Sequence, residues 1–388
     1  MTFNINTDFP SVEHLRQQAK KRMPRFAYDY LIEGCNDDIN VDKNTSELRQ
    51  IELMPQYLND QLSVSLTQSL FGKTYDVPFG ITAVGLQSLM WPKTAEYLAK
   101  TSVDYNIPFM LSTVTTISIE ETAKITNGNF WFQLYHPAKE EIRDDILKRA
   151  HDNGCEVLVL LSDVPSFGYR PRDIYNGLGM PPKMMLRNIF EAMRCPTWAF
   201  ETLLNGGMPR FKTMEKYMPE GMDLRRLGVF MDETFDGRLT CDRVKALQDK
   251  WPGKIVIKGI ASVEDAAKAA DLGVDGIIVS NHGGRQLDAG PSTIKTLTPI
   301  VEEFKGKFSI MMDSGMRTGP DIARALAAGA EFVFLGRPFM YGTGALGSEG
   351  GDQVAAILKR EFQQVMEQLN CPTVNDLQNF LIKETLPR

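Results

Sequence analysis

The stretch Ser280-Asn281-His282-Gly283-Gly284-Arg285-Gln286-Leu287-Asp288 sets a base and a cation in one tight loop. The run before it, Asp275 to Val279, is short and apolar enough to form a fully buried parallel strand. The paired glycines let the backbone turn sharply and let a flat molecule come close. The chain has only four histidines, and an imidazole, which changes charge near neutral pH, is suited to moving a proton. Other apolar runs end on residues of similar use: Gln133-Leu134-Tyr135, Ser162-Asp163 with Tyr169-Arg170 beyond, and Lys258-Gly259. Asp313-Ser314-Gly315-Met316-Arg317 and Gly336-Arg337-Pro338 each join glycine to arginine, and backbone N–H groups with two guanidinium ions suit a phosphate dianion. Taken singly, each has a plainer reading. His282 could cap a strand, Asp163 could form a turn, Lys258 could sit in solvent on a rim, and Tyr30 could pack a helix.

The elements that must position these residues come at a regular pace. Pro78–Thr82, Pro108–Leu111, Phe130–Tyr135, Glu156–Ser162, Lys254–Lys258, Asp275–Ser280, Phe308–Asp313 and Glu331–Leu335 read as buried strands, most of them followed by helical composition. Strands alternating with helices in this number predict an α/β fold, the TIM (β/α)8 barrel, with its active site at the C-terminal strand ends and a phosphate site after the last two. Ser11 reads as the N-cap of an N-terminal helical segment. One domain spans 1–388, with the barrel at about 75–345 and an insertion after the fourth strand at about 177–235.

Composition narrows the function class. Of the 388 residues 43% are hydrophobic and 24% charged, as in soluble globular proteins, and a net charge of −6 gives no pull toward nucleic acid. Five scattered cysteines without metal spacing predict reduced thiols, no metal and a cytoplasmic setting. The first residues lack the basic-then-apolar layout of a secretory signal, and no apolar run is long enough to span a bilayer.

The SNHGGRQLD stretch, together with the strand ends from Tyr28-Asp29-Tyr30 to Gly336-Arg337-Pro338, resembles the FMN-dependent α-hydroxy-acid oxidising family, which includes glycolate oxidase, lactate oxidase and mandelate dehydrogenase. Leu89-Met90-Trp91-Pro92-Lys93, Trp131-Phe132-Gln133-Leu134-Tyr135 and Gly168-Tyr169-Arg170-Pro171-Arg172-Asp173 lean toward the mandelate dehydrogenase branch. The resemblance implies an FMN-dependent L-2-hydroxy-acid dehydrogenase that forms the 2-oxo acid. His282 would be the base and Asp163 would hold its imidazolium. Arg285 and Arg170 would clamp the substrate carboxylate, with Tyr30 and Tyr135 donating hydroxyls. Lys258 would stabilise the reduced ring, while Ser112, Gln133 and Ser280 would bond the ring or ribityl chain. Asp313, Gly315, Arg317, Gly336 and Arg337 would hold the tail. It also implies a homotetramer.

Some residues depart from the family pattern. A Pro-Thr pair usual after the first strand is absent from Thr82-Ala83-Val84-Gly85-Leu86, and Leu161 replaces a threonine, so two hydroxyls bordering the flavin are missing. Gly85 points to a dehydrogenase rather than an oxidase, and Val114, where glycolate oxidase has tryptophan, leaves room for a larger substrate side chain. Three alternatives stand beside this reading: an oxygen-using oxidase or monooxygenase, a flavin-free barrel isomerase, and a flavin-binding scaffold without activity.

From Pro181 to Lys216 the insertion carries Trp198, Phe200, Phe211 and several Leu, Ile and Met residues. Lys183, Arg187, Arg194, Arg210, Lys212 and Lys216 outnumber Glu191, Glu201 and Glu215 there. A basic, aromatic-containing segment suits an interfacial membrane contact led by Trp198 and Phe200. The resemblance to the mandelate dehydrogenase branch, which has a membrane-docking segment in this place, implies a peripheral contact at the inner face of the cytoplasmic membrane, within reach of a quinone acceptor. A lid or an oligomer contact is the other reading of the same segment.

Overall fold

Eight parallel strands form one sheet: β1 (Phe79–Ile81), β2 (Met110–Ser112), β3 (Trp131–Leu134), β4 (Val157–Leu161), β5 (Lys254–Ile260), β6 (Gly276–Val279), β7 (Ser309–Asp313) and β8 (Phe332–Leu335). Each of the apolar runs expected to be a strand is one. Neighbours pair in the order β1-β8-β7-β6-β5-β4-β3-β2. A parallel bridge between Ile81 and Phe109 closes the ring, so the architecture is the TIM barrel. The computed structural model describes residues 5–58, 60, 63–179, 183–207, 209–219, 230, 234–235 and 238–387.

Alternate side chains along each strand point into the barrel. Met110, Trp131, Val159, Val256, Ile278, Met311 and Phe334 form an interior cluster distinct from the one under the helices. A hairpin pairing Gln68–Leu70 with Lys73–Tyr75 plugs its base with Leu70, Phe71 and Tyr75. Phe71, Trp131 and Phe334 pack with their rings tilted against one another there, at ring distances of 5.6 and 5.1 Å. Two residues further along, the same rows carry Ser112, Gln133, Leu161, Lys258, Ser280, Asp313 and Gly336. A dry, apolar floor beneath a mostly polar mouth is therefore written into the strands themselves.

The N-terminal segment lies against that mouth. Its first helix, Val12–Arg22, is capped by the Ser11 hydroxyl, which accepts the His14 N–H at 3.3 Å. Two more helices follow, Arg25–Ile32 and Ile39–Leu48. A short helix, Pro171–Tyr175, leads from β4 toward the insertion, whose described part contains helices Leu186–Arg194 and Pro196–Leu204. The residues at 180–182, 208, 220–229, 231–233 and 236–237 that belong to or border the expected insertion lie outside the described residues.

One expectation about the insertion is corrected. Trp198, expected to lead the membrane contact, is 4% exposed, donates its indole N–H to the Met90 carbonyl at 3.0 Å and meets the Phe26 ring edge-on. It ties the insertion to the N-terminal helices. Phe211 is likewise buried. Phe190, Phe200, Leu203 and Leu204 instead face outward.

Candidate active site

The C-terminal ends of the strands open into a cavity of about 1120 Å³. The roughly 300–1,000 Å³ that a single drug-sized ligand fills is smaller, so this one has room for a cofactor and a substrate together. Tyr30, Ser112, Gln133, Tyr135, Arg170, Lys258, His282, Arg285, Asp313, Gly315, Arg317, Gly336 and Arg337 all line it. Residues from the N-terminal segment, the ends of six strands and the loop after β4 thus meet at one place.

Asp163 and Ser280 stand directly behind this wall. Asp163 Oδ1 lies 3.0 Å from His282 Nδ1. Burial alone would raise the Asp163 carboxyl, but the neighbouring His282 and Lys258 outweigh burial and hold it below the usual range. An ionised Asp163 fixes the Nδ1–H tautomer and leaves Nε2 as the basic nitrogen. Asp163 Oδ2 is buried without a hydrogen-bond partner among the described residues. The loop that presents the imidazole is unusual. His282 sits at φ 58°, a left-handed conformation uncommon for residues with a Cβ. Its N–H donates to Ser280 Oγ at 3.1 Å, the next N–H, of Gly283, donates to Ser314 Oγ at 3.0 Å, and the Asn281 amide is held by Asn40 and Asn44.

Ser280, which the family resemblance puts among the flavin contacts, is fully buried and accepts Lys258 Nζ at 2.8 Å as well as the His282 N–H. Lys258 in turn pairs with Asp313 at 2.9 Å, and both side chains are buried. Burial works against the ammonium, yet Asp313 and Asp163 raise its pKa, so it carries its charge into the cavity. Tyr135 is raised by burial and by nearby Asp163, which keeps it a neutral hydroxyl donor.

The arginines show what the cavity is built to receive. Arg285 donates to the carbonyls of Tyr30 and Glu33 at 2.8 and 2.7 Å, with its guanidinium 5.0 Å from the Tyr30 ring centre. Arg337 donates to the carbonyls of Leu31, Gly283 and Glu33, and Arg317 to that of Met316. None of the three has a carboxylate partner among the described residues. Burial and Arg317 push Arg337 down to about 9, and burial and Arg170 lower Arg285. Cations buried together without counter-charge are costly unless an anion joins them. At the β8 end, a Cβ on Gly336 would stand 3.0 Å from Thr82 Cγ2, so only glycine leaves that wall flat. This donor set fits FMN: a phosphate beside Arg317 and Arg337, and a flat ring over Lys258. The departures are visible too, since Ala83 and Val84 line the wall with apolar groups.

Sequence reasoning missed Ser314, Asn40 and Asn44, the scaffold of the His282 loop. Asn40 and Asn44 are one helical turn apart on a single face, and that spacing was the available signal. Among the described residues no cluster of His, Cys, Asp or Glu could hold a metal, and no helix is long and apolar enough to cross a membrane.

Comparison with known proteins agrees with this geometry. A family model described as FMN-dependent dehydrogenase matches residues 19–384. The (S)-mandelate dehydrogenase of Pseudomonas putida is 35% identical over 95% of this chain and 92% of its own. An L-lactate dehydrogenase of Vibrio parahaemolyticus is 35% identical over 97% and 98%. Among solved structures, one described as the monotopic membrane protein (S)-mandelate dehydrogenase superposes with a TM-score of 0.90 at 35% identity, covering 97% of this chain and 99% of that one.

Proposed function

Because the chain belongs to the FMN-dependent dehydrogenase family, we propose that it oxidises an L-2-hydroxy acid with an apolar side chain to the 2-oxo acid. The observation that carries this reading is the His282–Asp163 pair, which opens into the same cavity as two arginines, Arg285 and Arg170. Arg285 and Arg170 hold the substrate carboxylate, and Tyr30 and Tyr135 orient it. The hydroxyl-bearing carbon then faces His282, whose Nε2 takes a proton while Asp163 stabilises the imidazolium. FMN, when bound, supplies the two-electron acceptor; Ser112, Gln133 and Lys258 would hold its ring, Asp313 its ribityl chain, and Gly315, Arg317, Gly336 and Arg337 its phosphate end. Val84, Leu86, Val114, Leu178, Met185 and Phe211 form the apolar wall that receives the side chain. The test is turnover with an artificial electron acceptor. L-2-hydroxy acids with large apolar side chains should yield the 2-oxo acid and their D-enantiomers should not; equal rates for both enantiomers would defeat the proposed arrangement.

The finer reading of the insertion is a bilayer contact. Leu186, Phe190, Met193, Phe200, Leu203 and Leu204 are each more than half exposed on two adjacent helices. The similar mandelate dehydrogenase structure is described as monotopic, which supports the same role here. Met185 lines the cavity between exposed Met184 and Leu186, so the mouth opens beside the patch, as a membrane-dissolved quinone acceptor requires. Burying one large apolar side chain contributes about 1.5–3 kcal/mol, more than the ~1 kcal/mol of a surface lysine or arginine on anionic lipid, so the apolar face dominates. The intact protein should pellet with anionic vesicles, and a Phe190→Ser/Phe200→Ser/Leu203→Ser variant should stay in the supernatant with its flavin. Intact protein that stays soluble at low salt would make the segment a lid or an oligomer contact.

A further inference from the structure

Glu33 takes no direct part in the chemistry assigned to the cavity. It ends the helix Arg25–Ile32, and its side chain is 1% exposed. Its backbone carbonyl accepts from both Arg285 and Arg337, at 2.7 and 3.0 Å. Its carboxylate reaches across to the loop after β4 and accepts the N–H groups of Arg172 and Asp173, at 2.6 and 2.9 Å. Those residues open the short helix whose N-cap is Arg170, and Arg170 pairs with Asp173 at 3.3 Å. One residue therefore touches the supports of both arginines assigned to the substrate carboxylate.

We propose that Glu33 is a positioning residue whose protonation state sets how strongly Arg170 and Arg285 attract a carboxylate substrate. The proposal rests on the reading of these two arginines as the carboxylate clamp. The charged groups around Glu33 are Arg170, Arg172 and Asp173 from the loop after β4, Arg285 and Arg337 from the barrel, the Arg25–Asp29 pair on its own helix, and Asp38, which pairs with Arg172. Arg337 faces Arg317 and the phosphate end of the cavity, and Arg25 and Asp29 neutralise each other. That leaves Arg170, Arg172 and Arg285 against Asp173 and Asp38. A neutral Glu33 leaves one positive charge for an incoming carboxylate; an ionised Glu33 leaves none.

Burial, followed by the adjacent Asp173 carboxyl, pushes Glu33 up to about 7, despite the backbone N–H groups and Arg172 that favour its ionised form. The sign follows directly. Glu33 is neutral below that value and charged above it, so carboxylate affinity is highest on the acid side and falls as pH rises through neutrality. An anion bound at the clamp favours the protonated form in return, so binding takes up a proton.

The test uses FMN-loaded protein in a His282→Gln background, which removes the imidazole's own contribution, with oxalate as probe and the flavin absorbance as readout. Oxalate affinity should fall about tenfold between roughly pH 6 and pH 8, a coupling of ordinary size. Adding Glu33→Gln, which is neutral and keeps one acceptor for the Arg172 and Asp173 N–H groups, should flatten that dependence at the tight-binding level. Asp173→Asn removes the neighbouring charge and should move the midpoint to lower pH, and this arm decides the matter if Glu33→Gln does not fold. Oxalate affinity that keeps the same pH dependence in Glu33→Gln, or an unmoved midpoint in Asp173→Asn, overturns the proposal alone. Absence of oxalate binding at every pH, or binding unaffected by Arg285→Lys, overturns the clamp reading beneath it.

Discussion

His282→Gln should leave FMN bound and slow reduction of the flavin by an L-2-hydroxy acid by at least 10²–10⁴-fold, the usual contribution of a general base. The residue reaches the cavity through a left-handed backbone and is aimed by Asp163 at 3.0 Å, so its removal takes away the proton acceptor while the walls of the cavity remain. Glutamine approximates the length of the imidazole but is strained at positive φ by about 1–2 kcal/mol. His282→Asn, which tolerates that conformation, serves as the folding control. Stopped-flow measurement of flavin reduction checks the rate, and the visible spectrum checks that the cofactor is held. Near-normal reduction in both variants would remove His282 from the chemistry.

Arg285→Lys should weaken oxalate binding by about 30-fold or more, within the ~2–5 kcal/mol typical of removing one partner from a buried charge pair. Arg285 spends one nitrogen on two carbonyls, those of Tyr30 and Glu33, which leaves its other donors free for a carboxylate. A lysine has a single nitrogen and no planar fork, so it cannot hold both carbonyls and meet a carboxylate with two parallel bonds. Flavin reduction should slow as well, because the substrate loses its alignment with His282. Arg170→Lys should act in the same direction and less strongly, since Arg170 already pairs with Asp173. Unchanged oxalate affinity in Arg285→Lys would place the carboxylate elsewhere.

The barrel was legible in the sequence because parallel strands buried on both faces read as continuous apolar runs with helical stretches between them. The same property hid which side chains point inward, as Val157 to Leu161 offers no polar residue to set the parity. Strand ends gave the candidate site, since a His, a Lys and two Gly-Arg stretches at successive ends are hard to explain as turns. The family resemblance, rather than spacing, supplied the individual roles. Orientation in the insertion was not legible. The helix Pro196–Leu204 is apolar almost all round, so periodicity could not tell that Trp198 faces the barrel while Phe200 faces out. Glu33 was equally hidden, because its partners lie far along the chain at Arg172, Asp173, Arg285 and Arg337. A lone glutamate after an apolar helix gives no sign of that.

Anaerobic titration of the FMN-loaded protein with L-2-hydroxy acids tests the central claim most directly. The account predicts that the yellow colour bleaches with an L-2-hydroxy acid bearing an apolar side chain, that 2-oxo acid appears in equal amount to the flavin, and that the D-enantiomer leaves the spectrum unchanged. A protein that keeps its FMN and its colour with every L-2-hydroxy acid supplied would contradict it.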